Sequence, residues 1–226
     1  MHVKLLSKTS GLIVVVLSCA VWGCRGQRPV WKDVVKRQAV DFLNAQGVSV
    51  KCLVVNNAGG FELDLRGSNI SNLNVLEGMP IEELLLSSTS VRNLSPLKEM
   101  RYLRKLDVAN TTVYDLSPLK GLALYELNIT KTRVVDLQPI KGMPLHVLSL
   151  VQTDVRDFTH LKSLPLREIY FSAEDSYSDR DIKILREKDS IRCINYYGNV
   201  HEFWSDYDQG KFRPPNLIKK EDGPSF

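Results

Sequence analysis

The sequence predicts an α/β solenoid, a stack of short parallel strands joined by short helical or 3-10 returns and capped at both ends. Three observations carry that prediction. Apolar residues recur every 21 or 22 positions, polar residues alternate with them where each period begins, and Pro and Gly punctuate its second half. Leu63, Leu84, Leu106, Leu127, Leu148 and Ile169 hold one equivalent position, with Leu65, Leu86, Val108, Ile129, Leu150 and Phe171 two residues later. A β-branched column follows at Ile70, Val91, Val113, Val134 and Val155, then columns headed by Leu73, Leu76 and Met79. A period of this length is the signature of a repeat architecture in which no unit buries its apolar side alone.

Taken in chain order, residues 1–23 read as a secretory signal. Lys4 and Lys8 precede an apolar run from Gly11 to Trp22, short of the ~20 residues a membrane span needs. Val21-Trp22-Gly23-Cys24 resembles the lipobox of bacterial lipoproteins, which would make Cys24 the acylated N-terminus; Trp22 departs from the usual small residue. Cleavage after Ser18-Cys19-Ala20 is the alternative. The first reading predicts an exported protein anchored to a membrane by lipid, and the second a secreted one.

Residues 24–58 read as an N-terminal cap. Trp31, Val34, Val35, Val40, Phe42 and Leu43 predict an amphipathic helix over 30–44, Val50 to Val55 a strand, and Asn56-Asn57-Ala58-Gly59-Gly60 a turn into the repeats.

The repeats occupy 59–172. In Leu127-Asn128-Ile129 and its equivalents the alternation gives a strand with one buried face. Leu94-Ser95-Pro96-Leu97-Lys98 recurs as Leu116-Ser117-Pro118-Leu119-Lys120 and as Leu137-Gln138-Pro139-Ile140-Lys141. Ser as N-cap and Pro at the first helical position are expected to start the return. Gly121, Gly142, Pro144 and Pro165 then stop it.

The stretch from Leu103 to Lys120 resembles bacterial leucine-rich repeats of the internalin-like type, and the resemblance extends over roughly residues 59–172. It implies a leucine-rich-repeat solenoid and a protein-binding role. Where many such repeats place Asn in an inward ladder, this chain has Ser68, Thr89, Thr111, Thr132 and Thr153, whose hydroxyls can still bond nearby backbone groups.

Residues 173–205 read as a C-terminal cap, with Ser178 or Asp179 capping a helix over 181–187 and a last strand from Ile191 to Ile194. The stretch from Ile194 to Trp204 also resembles endings of repeat regions beside bacterial protein-kinase domains, although no kinase motif is present. Residues 206–226, with Pro214-Pro215 and Lys219-Lys220, read as a loose tail. Cys52 and Cys193 fall on strands at opposite ends of the stack. Seven steps of ~4.8 Å separate them by roughly 30 Å, whereas a disulfide needs Cα atoms within ~7 Å. Buried thiols are the expectation for both, with an intermolecular disulfide as the alternative.

The net charge of +4 is too small and too dispersed to predict a nucleic-acid partner. His146, His160 and His201 stand in no nucleophile-and-base pattern, and no phosphate-cradling loop occurs. Glu174, Asp175, Asp179 and Asp181 lack the spacing of a calcium loop, and neither Cys52 nor Cys193 has partners at zinc spacing. No catalytic, cofactor-binding or metal-binding residue is therefore assigned, and no small-molecule substrate. The Asn-x-Ser/Thr patterns at Asn69, Asn93, Asn110 and Asn128 are supplied by repetition itself.

What remains is the outward strand face. The candidate binding residues are Lys105, Asp107, Glu126, Asn128, Val147, Ser149, Val151, Glu168 and Tyr170, with Val147, Val151 and Tyr170 expected to form an exposed apolar patch for a protein partner. A structural envelope protein without a dedicated ligand is the alternative.

Overall fold

The computed structural model describes residues 30–56, 60–172, 177–195 and 199–211. The signal segment, Cys24, Glu174, Asp175 and most of the tail lie outside the described residues. An N-terminal helix, α1 (Val30–Ala45), precedes the strands β1 (Cys52–Val55), β2 (Phe61–Asp64), β3 (Ile81–Leu85), β4 (Lys105–Asp107), β5 (Glu126–Asn128), β6 (Val147–Ser149), β7 (Glu168–Tyr170) and β8 (Cys193–Ile194). Helices α2 (Asp179–Arg186) and α3 (Val200–Asp208) flank β8. The eight strands form one sheet in sequence order. From β2 to β8 every pairing is parallel, while β1 runs antiparallel to β2, Leu53 opposite Leu63. The sheet is thus parallel as predicted except at its first edge, where the chain makes a hairpin. This is a leucine-rich-repeat solenoid.

Register follows the repeat. Leu63, Leu84, Leu106, Leu127, Leu148, Ile169 and Ile194 are partners in successive strands. All are buried, and all belong to one apolar cluster running the length of the stack. A further buried column stands three residues before this one, at Ile81, Leu103, Leu124, Leu145 and Leu166. Between the two columns lie two residues that both avoid the core, and the backbone shows why. The amides of Tyr125 and Glu126 share the carbonyl of Arg104, and those of His146 and Val147 share the carbonyl of Tyr125. Arg167 with Glu168 and Arg192 with Cys193 repeat the arrangement on His146 and Arg167. Two residues set against one carbonyl break the two-residue alternation, as a bulge does. Both members of each pair therefore face away from the leucines.

The chain leaves the strands β2 to β6 through a left-handed residue. Gly67, Ser88, Asn110, Lys131 and Gln152 have φ of 68°, 58°, 52°, 55° and 54°. Reversal there brings the next residue back over the core. Thr89, Thr111, Thr132 and Thr153 are buried and donate to the carbonyls of Leu86, Val108, Ile129 and Leu150 at 2.6–2.8 Å. The hydroxyls satisfy backbone groups as expected, each within its own coil.

The 3-10 returns start by another device than the predicted Ser cap. Ser95 and Ser117 are already inside the turn, and Leu94 and Leu116 precede it with no side-chain cap bond. The cap is one residue further back. Asn93, Asp115, Asp136 and Asp157 accept the amides of Ser95, Ser117, Gln138 and Thr159 at 2.7–2.9 Å, and Asn72 does the same for Asn74. Asp115 and Asp157 are held below the usual carboxylate range by the hydrogen bonds from Ser117 and Thr159. Pro96, Pro118 and Pro139 stand at the second position of the turn, where no amide is needed.

The ends are closed by helices. In α1 the buried stripe is Val35, Ala39 and Leu43, whereas Val34 is 48% exposed and belongs to the outer side. At the other end Phe171 stacks edge-on against Phe158, Tyr177 and Phe203. Ser178 caps α2 by accepting the amide of Asp181, and buried Asp181 accepts the amide of Phe158 at 2.9 Å, tying the helix to the last return. Helix α3 runs past the predicted end of the cap at 205. Its Asp208 pairs with Arg186, which also lies 4.6 Å over the ring of Trp204. The start of the expected loose tail is therefore ordered packing. Among the described residues neither Cys52 nor Cys193 is in a disulfide, and both lie on the outermost strands of the sheet. Cys52 is exposed, contrary to the expectation of a buried thiol, because it stands on the outward side of an edge strand; Cys193 is half-buried.

Candidate functional surface

The outward side of the ladder has two inner columns and a rim. The column nearest the strand starts reads Glu62, Glu83, Lys105, Glu126, Val147, Glu168 and Cys193; the next reads Asp64, Leu85, Asp107, Asn128, Ser149 and Tyr170. Sequence reasoning placed these correctly by direction and misjudged how much of each is accessible. Lys105, Glu126, Asn128, Val147, Val151 and Glu168 are half-buried. Asp107, Ser149 and Tyr170 are buried, at 6%, 5% and 0% exposure.

Tyr170 is the largest correction. Its hydroxyl donates to Glu168 Oε2 at 2.9 Å and lies 3.8 Å from Cys193 Sγ on the neighbouring strand. Burial pushes the phenol well above its ordinary value. The ring is thus a packing element beside β8, and the exposed patch of Val147, Val151 and Tyr170 does not exist as drawn from the sequence.

Polar residues on this face are largely bonded to one another. Arg66 donates twice to Asp64, at 3.0 and 2.8 Å, and holds that carboxyl below its usual range. Burial pushes Asp107 up, opposed by bonds from the Ala109 amide and the Ser87 hydroxyl and by the charges of Arg66 and Lys105. Asn128 accepts the amide of Thr130, whose hydroxyl meets that of Ser149 at 2.6 Å. Lys105 and Glu126 form a 3.0 Å ion pair across adjacent strands.

The rim is the part that sequence reasoning missed. It is the first residue of each bulged pair, giving Glu82, Arg104, Tyr125, His146, Arg167 and Arg192 along the stack. Arg104, Arg167 and Arg192 are exposed, and Tyr125 is 46% exposed. Tyr125 and His146 stack with centroids 4.4 Å apart and planes 16° apart, and His146 Nδ1 is 2.8 Å from the Pro144 carbonyl. The signal was available as the column two residues before each strand leucine. It passed unnoticed because strict alternation sends that position inward.

On the opposite flank, Tyr114 and Val135 are 54% and 61% exposed. Arg92 lies 5.2 Å over the Tyr114 ring, and an open depression of about 230 Å³ is lined by Arg92, Thr112, Tyr114 and Arg133. Among the described residues no group of three or more His, Cys, Asp or Glu is placed to hold a metal ion, and no helix is long and apolar enough to cross a membrane.

No protein-family model and no curated protein matches the sequence. Among solved structures, the chain is similar to an internalin (inlF) from Listeria monocytogenes, with 24% identity and a TM-score of 0.53 over 58% of this chain and 39% of that one. It is also similar to an internalin C2 from the same organism, with 26% identity and a TM-score of 0.45 over 46% and 48% of the two chains. The chain therefore spans less than half the length of either. The first of these likenesses carries the fold, and only the fold.

Proposed function

We propose that this chain is a non-enzymatic protein-binding module that engages its partner through the outward face of the ladder. The observation that carries the reading is the uninterrupted register from β3 to β7, which sets half-buried Lys105, Glu126, Val147 and Glu168 in one row on a rigid sheet. Such a row offers preformed contacts at little ordering cost. Asn128 and Val151 stand beside it and complete the proposed contact set. Asp107, Ser149 and Tyr170 support the face from within it.

Residues 1–23 and the Gly23-Cys24 junction favour export with a lipid tether at Cys24, which would hold the face outside a bacterial membrane. Among the described residues no group of three or more His, Cys, Asp or Glu is gathered, and no cofactor is assigned.

The test is capture and titration of a partner from the producing organism with the chain from residue 24 onward. Replacing Val147 and Val151 together by Asp should weaken binding at least ~10-fold, as loss of apolar contact at an interface core does, with the thermal midpoint held. Undiminished binding would remove this face from consideration. Mass spectrometry of the native N-terminus checks the tether: an acylated Cys24 supports it, and a free Val21 refutes it.

A further inference from the structure

Two rows of opposite character lie side by side along the sheet. In the inner row the two carboxylates that flank Val147 are engaged within the chain: Glu126 pairs with Lys105 at 3.0 Å and Glu168 accepts from Tyr170 at 2.9 Å. In the rim row the cations are not: among the described residues, Arg104, Arg167 and Arg192 have no carboxylate within ion-pair distance. Among the described residues the Arg104 guanidinium donates to backbone carbonyls, those of Arg101, Leu103 and Ala123. Between Arg104 and Arg167 stands the Tyr125–His146 stack, with apolar Val147 beside His146.

We infer that this rim docks an acidic, extended segment of a protein partner running along the axis of the stack. The inference rests on the protein-binding reading above and adds the partner's chemistry. Spacing favours it. Successive coils lie ~4.8 Å apart, so Arg104 and Arg167, three coils apart, are separated by ~14 Å. An extended peptide advances ~3.3 Å per residue, so carboxylates at i and i+4 project to the same side ~13 Å apart. Arg192, one coil further, meets a carboxylate at i+6. The residue at i+2, on the same side as i and i+4, then meets the Tyr125–His146 pair, and an aromatic or apolar side chain there packs edge-on against it. A guanidinium suits such a partner because it takes a carboxylate through two parallel hydrogen bonds. A nucleic acid fits less well, since its continuous phosphates would run beside Glu126 and Glu168.

The experiment uses fluorescence anisotropy with the chain from residue 24 onward and a fluorescein-labelled decapeptide carrying Glu at i, i+4 and i+6 around one Phe. Controls are the same peptide with Gln for Glu and an oligothymidylate of equal length. Saturable binding of the Glu peptide, weakened several-fold between 50 and 500 mM salt as screening of exposed charge requires, is the expected result. Arg167→Glu, whose side chain makes no intramolecular bond among the described residues, should weaken it at least ~10-fold, and Arg104→Glu/Arg167→Glu further. Lys120→Glu/Lys141→Glu, on the returns, should leave it unchanged. Absence of saturable binding, equal binding of the Gln peptide, indifference to Arg167→Glu, or tighter binding of the oligothymidylate would each overturn the inference. Should partner capture survive the rim reversals but not Val147→Asp/Val151→Asp, the rim inference alone fails; survival of both sets removes the protein-binding reading with it.

Discussion

Replacing Thr132 by Val isolates what the inward threonine ladder contributes. Thr132 is 5% exposed, and its hydroxyl donates to the Ile129 carbonyl at 2.6 Å. Val keeps the shape and removes the donor, so a carbonyl next to fully buried Ile129 loses its partner in a dry interior. An acceptor stranded in this way costs about 1–3 kcal/mol. Ser makes the converse change, keeping the donor and deleting one methyl, at a cost of about 0.8 kcal/mol. Urea unfolding of the two variants beside the parent chain reads both values from midpoint and slope. If the hydrogen bond is what the column contributes, Val costs more than Ser. A Val variant within about 0.3 kcal/mol of the parent, or a Ser variant worse than Val, would show that the column acts by packing and that its hydrogen bonds are incidental.

Other variants probe the remaining devices. Asp107 titrates above its ordinary value because it is buried, so its ionised form weakens the fold above the folded pKa and the penalty is relieved as pH falls through it. Asp107→Asn, which keeps the acceptor role that Asn128 plays in the next coil, should raise stability at pH 7 by under about 1 kcal/mol. The gain should shrink toward pH 4; one that grows in acid contradicts the assignment. At Lys131, whose φ is 55°, Lys131→Val should cost about 1–2 kcal/mol and Lys131→Gly close to nothing, since only a β-branched residue is penalised further in the left-handed region. Equal costs in thermal melts would contradict this. Asp136→Ala should lose about 1 kcal/mol by uncapping the Gln138 amide, whereas Gln138→Ala should be nearly silent in the same urea titration; the reverse order would restore the cap to the first turn position.

How far the sequence could be read depended on whether a property is set within one repeat or between neighbours. Leucine columns reveal themselves by recurrence, because every coil needs the same apolar residue at the same depth. The architecture, the register and the helices α1 and α2 were therefore legible from Leu63 to Phe171 and around it, whereas α3 was not. Capping was misread by two residues, since Ser-Pro signals a helix start by statistics while the Asn and Asp side chains two residues earlier accept the amide bonds. The hairpin pairing of β1 leaves no trace in a periodicity, as Leu53 faces the core whichever way its strand runs. Exposure was least legible. Tyr170 points outward like its column mates and is enclosed because Cys193 arrives beside it from a strand outside the repeat. Tyr125 stands where alternation sends a side chain inward, and it is exposed because a shared carbonyl at Arg104 shifts the phase.

Hydroxyl-radical footprinting of the bound chain reads directly which flank of the solenoid meets a partner. Tyr125, at 46% exposure, and Tyr114, at 54%, begin comparably accessible on opposite sides, so each controls for the other. On binding, Tyr125, His146 and Val147 should lose reactivity while Tyr114 and Val135 keep theirs. Protection of Tyr114 and Val135 with Tyr125 unchanged would contradict the account and move the interaction to the Arg92–Tyr114 flank.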